Sequence, residues 1–144
     1  MEMILTSADC YSKYGDPHKE KFMTMWDVPT TLEIGVIPKR IYCNHDLILP
    51  LSGAFRSLID TGIVSELKTW DGCFNIRFVR GSKTVMSLHS WGVAIDLNAF
   101  ENQMGQVGKL SDGFVNCFTQ NGFNYGGNFS RPDPMHFELR KDRI

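Results

Sequence analysis

Two short segments concentrate the side chains that could do chemistry: Ser87-Leu88-His89-Ser90-Trp91-Gly92-Val93-Ala94-Ile95-Asp96 and Asp133-Pro134-Met135-His136-Phe137-Glu138. From Gly92 to Ala99 the residues alternate, with Val93, Ile95 and Leu97 on one side and Ala94, Asp96 and Asn98 on the other, which predicts a strand. His89 lies seven residues before Asp96, so an unbroken strand would point the two to opposite faces. Gly92 supplies a bend or bulge that can turn His89 to the side of Asp96. In the second segment Met135, Phe137 and Leu139 share a face opposite His136 and Glu138. Two imidazoles and a carboxylate converging from two strands make a nitrogen, nitrogen, oxygen donor set. Zinc accepts such a set at about 2.0–2.2 Å and keeps a fourth position for water in catalytic sites. Taken singly, each residue also has an ordinary reading, a hydrogen-bonded core histidine or a capping aspartate.

Together the two segments read SxHxxGxAxD and DxxHFE. They resemble the zinc D-alanyl-D-alanine peptidases and the related phage L-alanyl-D-glutamate endopeptidases. Ser87, His89, Gly92, Ala94 and Asp96 match the first pattern, and Asp133, His136, Phe137 and Glu138 the second, within a resemblance that spans residues 72–139. The resemblance implies that His89, Asp96 and His136 hold one zinc ion. It implies that Asp133 is the general base, taking a proton from water and passing it to the leaving amine. Pro132 and Pro134 would stiffen it; outside this context Asp133 reads as an Asp-Pro turn residue. Family members carry an arginine on the strand before the first motif. Arg77 takes that place, where a guanidinium can bind a carboxylate or a polarised carbonyl in bidentate fashion. Arg80 is its rival if a bulge shifts the register, and a surface arginine is the plain alternative. Ser87 would orient the site through a hydrogen bond. Glu138 is either the partner of a ligand histidine or a solvated strand residue. Trp91, Tyr125 and Phe129 could line a cleft or simply pack. The text Gly126-Gly127-Asn128-Phe129 departs from the Gly-Gly-Asp-Trp frequent in phage relatives, which bears on the substrate pocket and leaves the metal ligands untouched.

The activity implied is hydrolysis of peptidoglycan stem peptides. Aspartate at position 133, where the dipeptidase branch usually has glutamate, favours the phage-type endopeptidase; a D-alanyl-D-alanine carboxypeptidase is the alternative. A different class is a zinc-binding module without turnover, as in the Hedgehog signalling domains of the same architecture, or a virion-associated component docked through residues 1–44. His18 and His45 match no motif and are expected at the surface.

The elements that must position these residues are those of a single α+β domain over residues 1–144, an antiparallel sheet carrying the metal with helices packed on it. With 144 residues, 42% hydrophobic and 22% charged, the chain can bury a core without disulfides or partners, and a monomer is expected. A net charge of −1 excludes nucleic-acid binding driven by bulk positive charge. No apolar run reaches the roughly 20 residues of a membrane span. The N-terminal text lacks the basic start and apolar stretch of a signal peptide, so synthesis in the cytoplasm and action on the wall after release are expected. Cys10, Cys43, Cys73 and Cys117 contain no CxxC pair and are expected as buried thiols.

Residues 1–44, cut by Pro17, Pro29 and Pro38, read as an irregular wrap with at most a short helix. Asn44–Leu67 is the strongest helical pattern, with Asn44 as cap and Gly62 as stop; Pro50 would confine the helix to about Leu51–Thr61. Cys73–Arg80 alternates as a strand with Asn75 and Arg77 opposite Phe74, Ile76 and Phe78. Ser111 caps a helix to about Asn121, and strands follow at Phe123–Tyr125 and near Met135–Leu139.

Overall fold

A computed structural model describes residues 3–144. Three helices, α1 (Ser7–Tyr14), α2 (Ile48–Asp60) and α3 (Asp112–Thr119), surround two antiparallel sheets. The smaller sheet pairs β1 (Met23–Asp27) with β2 (Arg40–Asn44), and the larger runs in the order β3 (Trp70–Gly72), β4 (Ala94–Leu97), β6 (His136–Leu139), β5 (Phe123–Tyr125). This is the α+β arrangement expected from the sequence.

The larger sheet has two unlike faces because strand side chains alternate. Val93, Ile95, Phe137, Leu139 and Phe123 are at most 1% exposed, and α3 covers part of this face, its Phe118 ring lying 4.6 Å from Phe137 and 5.6 Å from Phe123. On the other face Asp96 pairs directly with His136, and Ala94 with Glu138, which in turn faces Asn124 of β5. The polar row that carries the site is thereby fixed by the register of β4 on β6.

Local signals explain the helices. The Ser111 hydroxyl accepts from Phe114 N and starts α3. Asn44 caps a 3-10 turn over His45–Leu47, which leads straight into α2. Pro50 thus sits in the first turn of α2, where its missing N–H costs no bond, so α2 begins earlier than Leu51.

Two expectations are corrected. Residues 23–44 are no irregular wrap: they form the β1–β2 hairpin, which puts Trp26, Ile41 and Cys43 into the core, with Trp26 stacked 6.2 Å from Phe55 of α2. Prolines 29 and 38 lie in the connection between the strands, so they delimit the hairpin and do not break it. Cys73–Arg80 is no strand of the sheet. It leaves β3 as an irregular arm tied to residues 85–90 by Asn75 N to His89 O, Ser87 N to Arg77 O and one bridge, Phe78 with Met86. The apolar row of that arm is only half covered, and Phe78 is exposed, so no partner strand completes a ladder. All four cysteines are buried and free. His18 and His45 are exposed, and among the described residues no helix is long and apolar enough to cross a membrane.

Candidate metal centre

His89 reaches the polar face of the sheet from a 3-10 turn, Leu88–Trp91, that precedes β4. Ser87 caps this turn, its hydroxyl accepting from His89 N at 3.2 Å. Gly92 ends it in the left-handed conformation at φ 68°, a geometry that glycine adopts without strain. The bend that the sequence required is therefore a helical turn with a glycine stop, not a bulge within the strand.

The donor atoms of His89, Asp96 and His136 all lie within 4.8 Å of one another. His89 Nε2 stands 3.2 Å from Asp96 Oδ2, and His136 Nδ1 stands 3.3 Å from Asp96 Oδ1. A tetrahedral ion with bonds of about 2.1 Å has ligand separations of about 3.4 Å, close to both distances.

Hydrogen bonds to the far side of each ring decide which nitrogen faces inward. His89 Nδ1 lies 2.7 Å from the carbonyl oxygen of Cys73, which can only accept, so Nδ1 carries the proton and Nε2 offers its lone pair. That Nε2 is buried and has no hydrogen-bond partner; it faces a carboxylate oxygen with nothing donated between them. Glu138 Oε1 lies 2.9 Å from His136 Nε2 and by the same reasoning leaves Nδ1 turned toward Asp96. The orphaned lone pair of His89, the inward Nδ1 of His136 and a carboxylate aimed at one point are an arrangement that a divalent cation satisfies once it displaces the His136 Nδ1 proton. The residues present fit zinc.

The electrostatics of the metal-free arrangement point the same way. Burial drives the His136 pKa down, but the hydrogen bonds to Asp96 and Glu138 outweigh it and raise it to about 10. Burial raises Asp96, yet the two imidazoles beside it, with the hydrogen bond from His136 foremost, outweigh burial and hold it well below the carboxylate range. The pocket demands positive charge at its centre.

Asp133 stands beside this set and outside it, Oδ2 3.9 Å from His136 Nδ1. Burial lifts its pKa above the usual value, with His136 pulling the other way; a carboxylate so raised is a stronger base. A tight turn places it: Asp133 N donates to Gly126 O at 2.9 Å, and His136 N to Asp133 O at 3.0 Å. Gly126 is required there because a Cβ would collide with the Asp133 carbonyl oxygen.

His89, Asp133, His136 and Glu138 line a cleft of about 420 Å³ walled by Arg77, Arg80, Arg131, Met104 and Phe129, with Leu5, Thr6 and Ser7 at the start of α1 along one side. Both arginines weighed from the sequence thus reach the cleft, together with Arg131, which was not singled out.

Residues 80–139 match the D-alanyl-D-alanine carboxypeptidase family model. The match covers about two fifths of the chain and contains His89, Asp96, Asp133 and His136. No curated protein and no solved structure matches the chain. The match supports a peptidoglycan-acting metallopeptidase of the D-alanyl-D-alanine peptidase kind, and Arg77 lies outside it.

Two aromatic residues are placed away from the candidate metal centre. Trp91 is 3% exposed; its Nε1 donates to Gly15 O and its ring meets Tyr11 edge-on, so it anchors α1. Tyr125 pairs with Phe137 on the opposite face of the sheet, its ring 4.9 Å away. Asn98, which strict alternation set beside Asp96, lies past the strand end at φ 50° and holds Lys68 N, Thr69 N and Glu66 O. Left-handed backbone is tolerated by asparagine, and it breaks the alternation there. The Cys73 carbonyl, which sets the His89 tautomer, escaped sequence reasoning because a backbone oxygen has no residue-type signature.

Proposed function

We propose that this chain is a zinc peptidase that hydrolyses the stem peptides of peptidoglycan, cutting the L-alanyl–D-glutamyl bond in the manner of phage endolysins. The observation that carries the reading is the position of Asp133, a half-buried carboxylate with a raised pKa, 3.9 Å from a candidate ligand atom and free of the ligand set. His89 Nε2, Asp96 and His136 Nδ1 would hold the ion. When bound, zinc lowers the pKa of water to about 7 and polarises a carbonyl. Asp133 would accept the proton at Oδ2 and return it to the nitrogen of the departing amine. Arg77 and Arg80, on the cleft wall, would hold the peptide and meet negative charge as it develops on the carbonyl oxygen. Glu138 keeps the His136 proton on Nε2, so that Nδ1 stays available.

A second reading is a carboxypeptidase that releases terminal D-alanine. It is favoured by the description of the matched family and by the guanidiniums of Arg77, Arg80 and Arg131 in one cleft, any of which suits a terminal carboxylate.

Digestion of purified peptidoglycan, with mass analysis of the products, separates the readings. New L-alanine carboxyl ends and D-glutamate amino ends, lost on chelation and restored by zinc, are expected. Asp133→Asn should lower the rate by at least about 10²-fold while still binding zinc. Free D-alanine would select the carboxypeptidase. No product from folded, zinc-loaded protein would overturn both and leave a binding module.

A further inference from the structure

The metal cleft does not end at its aromatic wall. Phe129 and Glu138 line it on one side and, on the other, a second groove of about 490 Å³ that follows the free edge of β5 between α3 and residues 128–130. Thr119, Tyr125 and Asn128 then carry that groove into a further shallow depression of about 680 Å³ beside α3. The three concavities thus adjoin one another through shared residues, Phe129 and Glu138 between the first two and Thr119, Tyr125 and Asn128 between the last two.

The character of the path changes at Phe129. Three arginines line the metal cleft. Beyond Phe129 the polar lining is Thr119, Asn124, Tyr125, Asn128 and Ser130, with Ile4 and Phe123 as apolar neighbours. The two charged side chains there are already engaged, Arg140 by Asp142 at 2.6 Å and Glu138 by His136 at 2.9 Å. Neutral amides and hydroxyls beside aromatic rings suit a ligand that is uncharged, rich in hydroxyl and amide groups, and apolar on its ring faces.

We propose that the groove along β5 binds the N-acetylated glycan to which the stem peptide is attached, so that a peptide still joined to its sugar is the preferred substrate. This rests on the peptidoglycan reading above. Because Glu138 borders both concavities, glycan in the groove would lie against the carboxylate that orients His136, and its binding energy could be expressed at the reacting bond.

The test compares one stem peptide, free and carried on the N-acetylglucosaminyl–N-acetylmuramic acid disaccharide. The zinc-loaded enzyme should show a kcat/KM higher by about tenfold or more for the glycan-borne form, tenfold being about 1.4 kcal/mol. In Asn128→Leu and Thr119→Val proteins that ratio should fall toward one. Equal kcat/KM for the two forms, or a preference that both variants retain, would overturn the proposal while leaving the hydrolase reading intact. A preference for cross-linked over glycan-borne peptide would assign the groove to peptide instead and equally overturn it. Titration of the peptide-free disaccharide into isotope-labelled protein needs no turnover. Amide shifts clustered at residues 124–130 are expected, and their absence at millimolar sugar would overturn the proposal even if no substrate were cut.

Discussion

Glu138 shows how much a single side chain depends on its neighbour across two residues. On strand β6 it shares a face with His136, and at 2.9 Å it fixes which imidazole nitrogen bears the proton. Glu138→Gln keeps the shape but lets the amide flip and present a donor where an acceptor is needed. The expected result is a zinc affinity about 10- to 100-fold weaker with the fold preserved, measured by competition against a chelator and by circular dichroism. Unchanged affinity would mean that the Cys73 and Asp96 contacts suffice to order the site. The sequence left Glu138 open between partner and solvated residue, and only its burial, 6% exposed, decides. His89, Asp96 and His136 were legible because they stand in two motifs, SxHxxGxAxD and DxxHFE, that resemble a known zinc-peptidase pattern. Trp91 and Tyr125 were not, since an aromatic ring beside a glycine turn looks the same whether it faces a cleft or a core.

At the scale of elements, the turn that holds Asp133 and the cap that starts α1 each invite a test. Gly126→Ala would drive a Cβ into the Asp133 carbonyl oxygen and to 2.9 Å from the His136 carbonyl oxygen. It should cost about 1–3 kcal/mol of stability and a larger share of turnover, because the base moves with the turn. Thermal melts paired with peptidoglycan digestion read both, and full turnover in this variant would show that the turn is not what places Asp133. Helix α1 begins with a reciprocal box in which Thr6 and Asp9 each accept the other's backbone N–H. Thr6→Ala should lose about 1 kcal/mol and loosen the wall formed by Leu5, Thr6 and Ser7.

The same box sets a pH dependence. The hydrogen bond from Thr6 N, then that from the Thr6 hydroxyl, and then Lys141 hold the Asp9 pKa below its ordinary value against a small cost of burial. A lowered carboxylate pKa stabilises the fold above the unfolded value of about 3.9, and that contribution is lost as pH falls through the lower folded value. The difference in Tm between the wild type and Asp9→Asn should therefore be present at neutral pH and vanish in strong acid. A difference that persisted there would assign it to packing.

At the scale of the molecule, residues 23–44 are structural. Trp26 and Ile41 enter the core, and Asn44 binds the end of the turn that carries His89, its Nδ2 donating to Trp91 O and its backbone N to Gly92 O. Removing residues 1–44 should leave insoluble or unfolded protein, and Trp26→Ala should cost about 3–5 kcal/mol, both read by solubility and chemical denaturation. A soluble, cooperatively folding fragment 45–144 would restore these residues as a separable docking arm.

The sequence by itself determined the donor set, the α+β class, the cap of α3 and the strands that bracket the site. Those follow from residue type and from periodicities read over a few neighbours, where local side-chain partition between core and solvent decides. Tertiary structure alone decided that residues 73–80 run as an arm and not a strand, that residues 23–44 pair as a hairpin, and that a backbone carbonyl at Cys73 orients His89. A strand exists only when another edge supplies its hydrogen bonds, and a carbonyl oxygen belongs to every residue. Neither can be read until distant segments have been brought together.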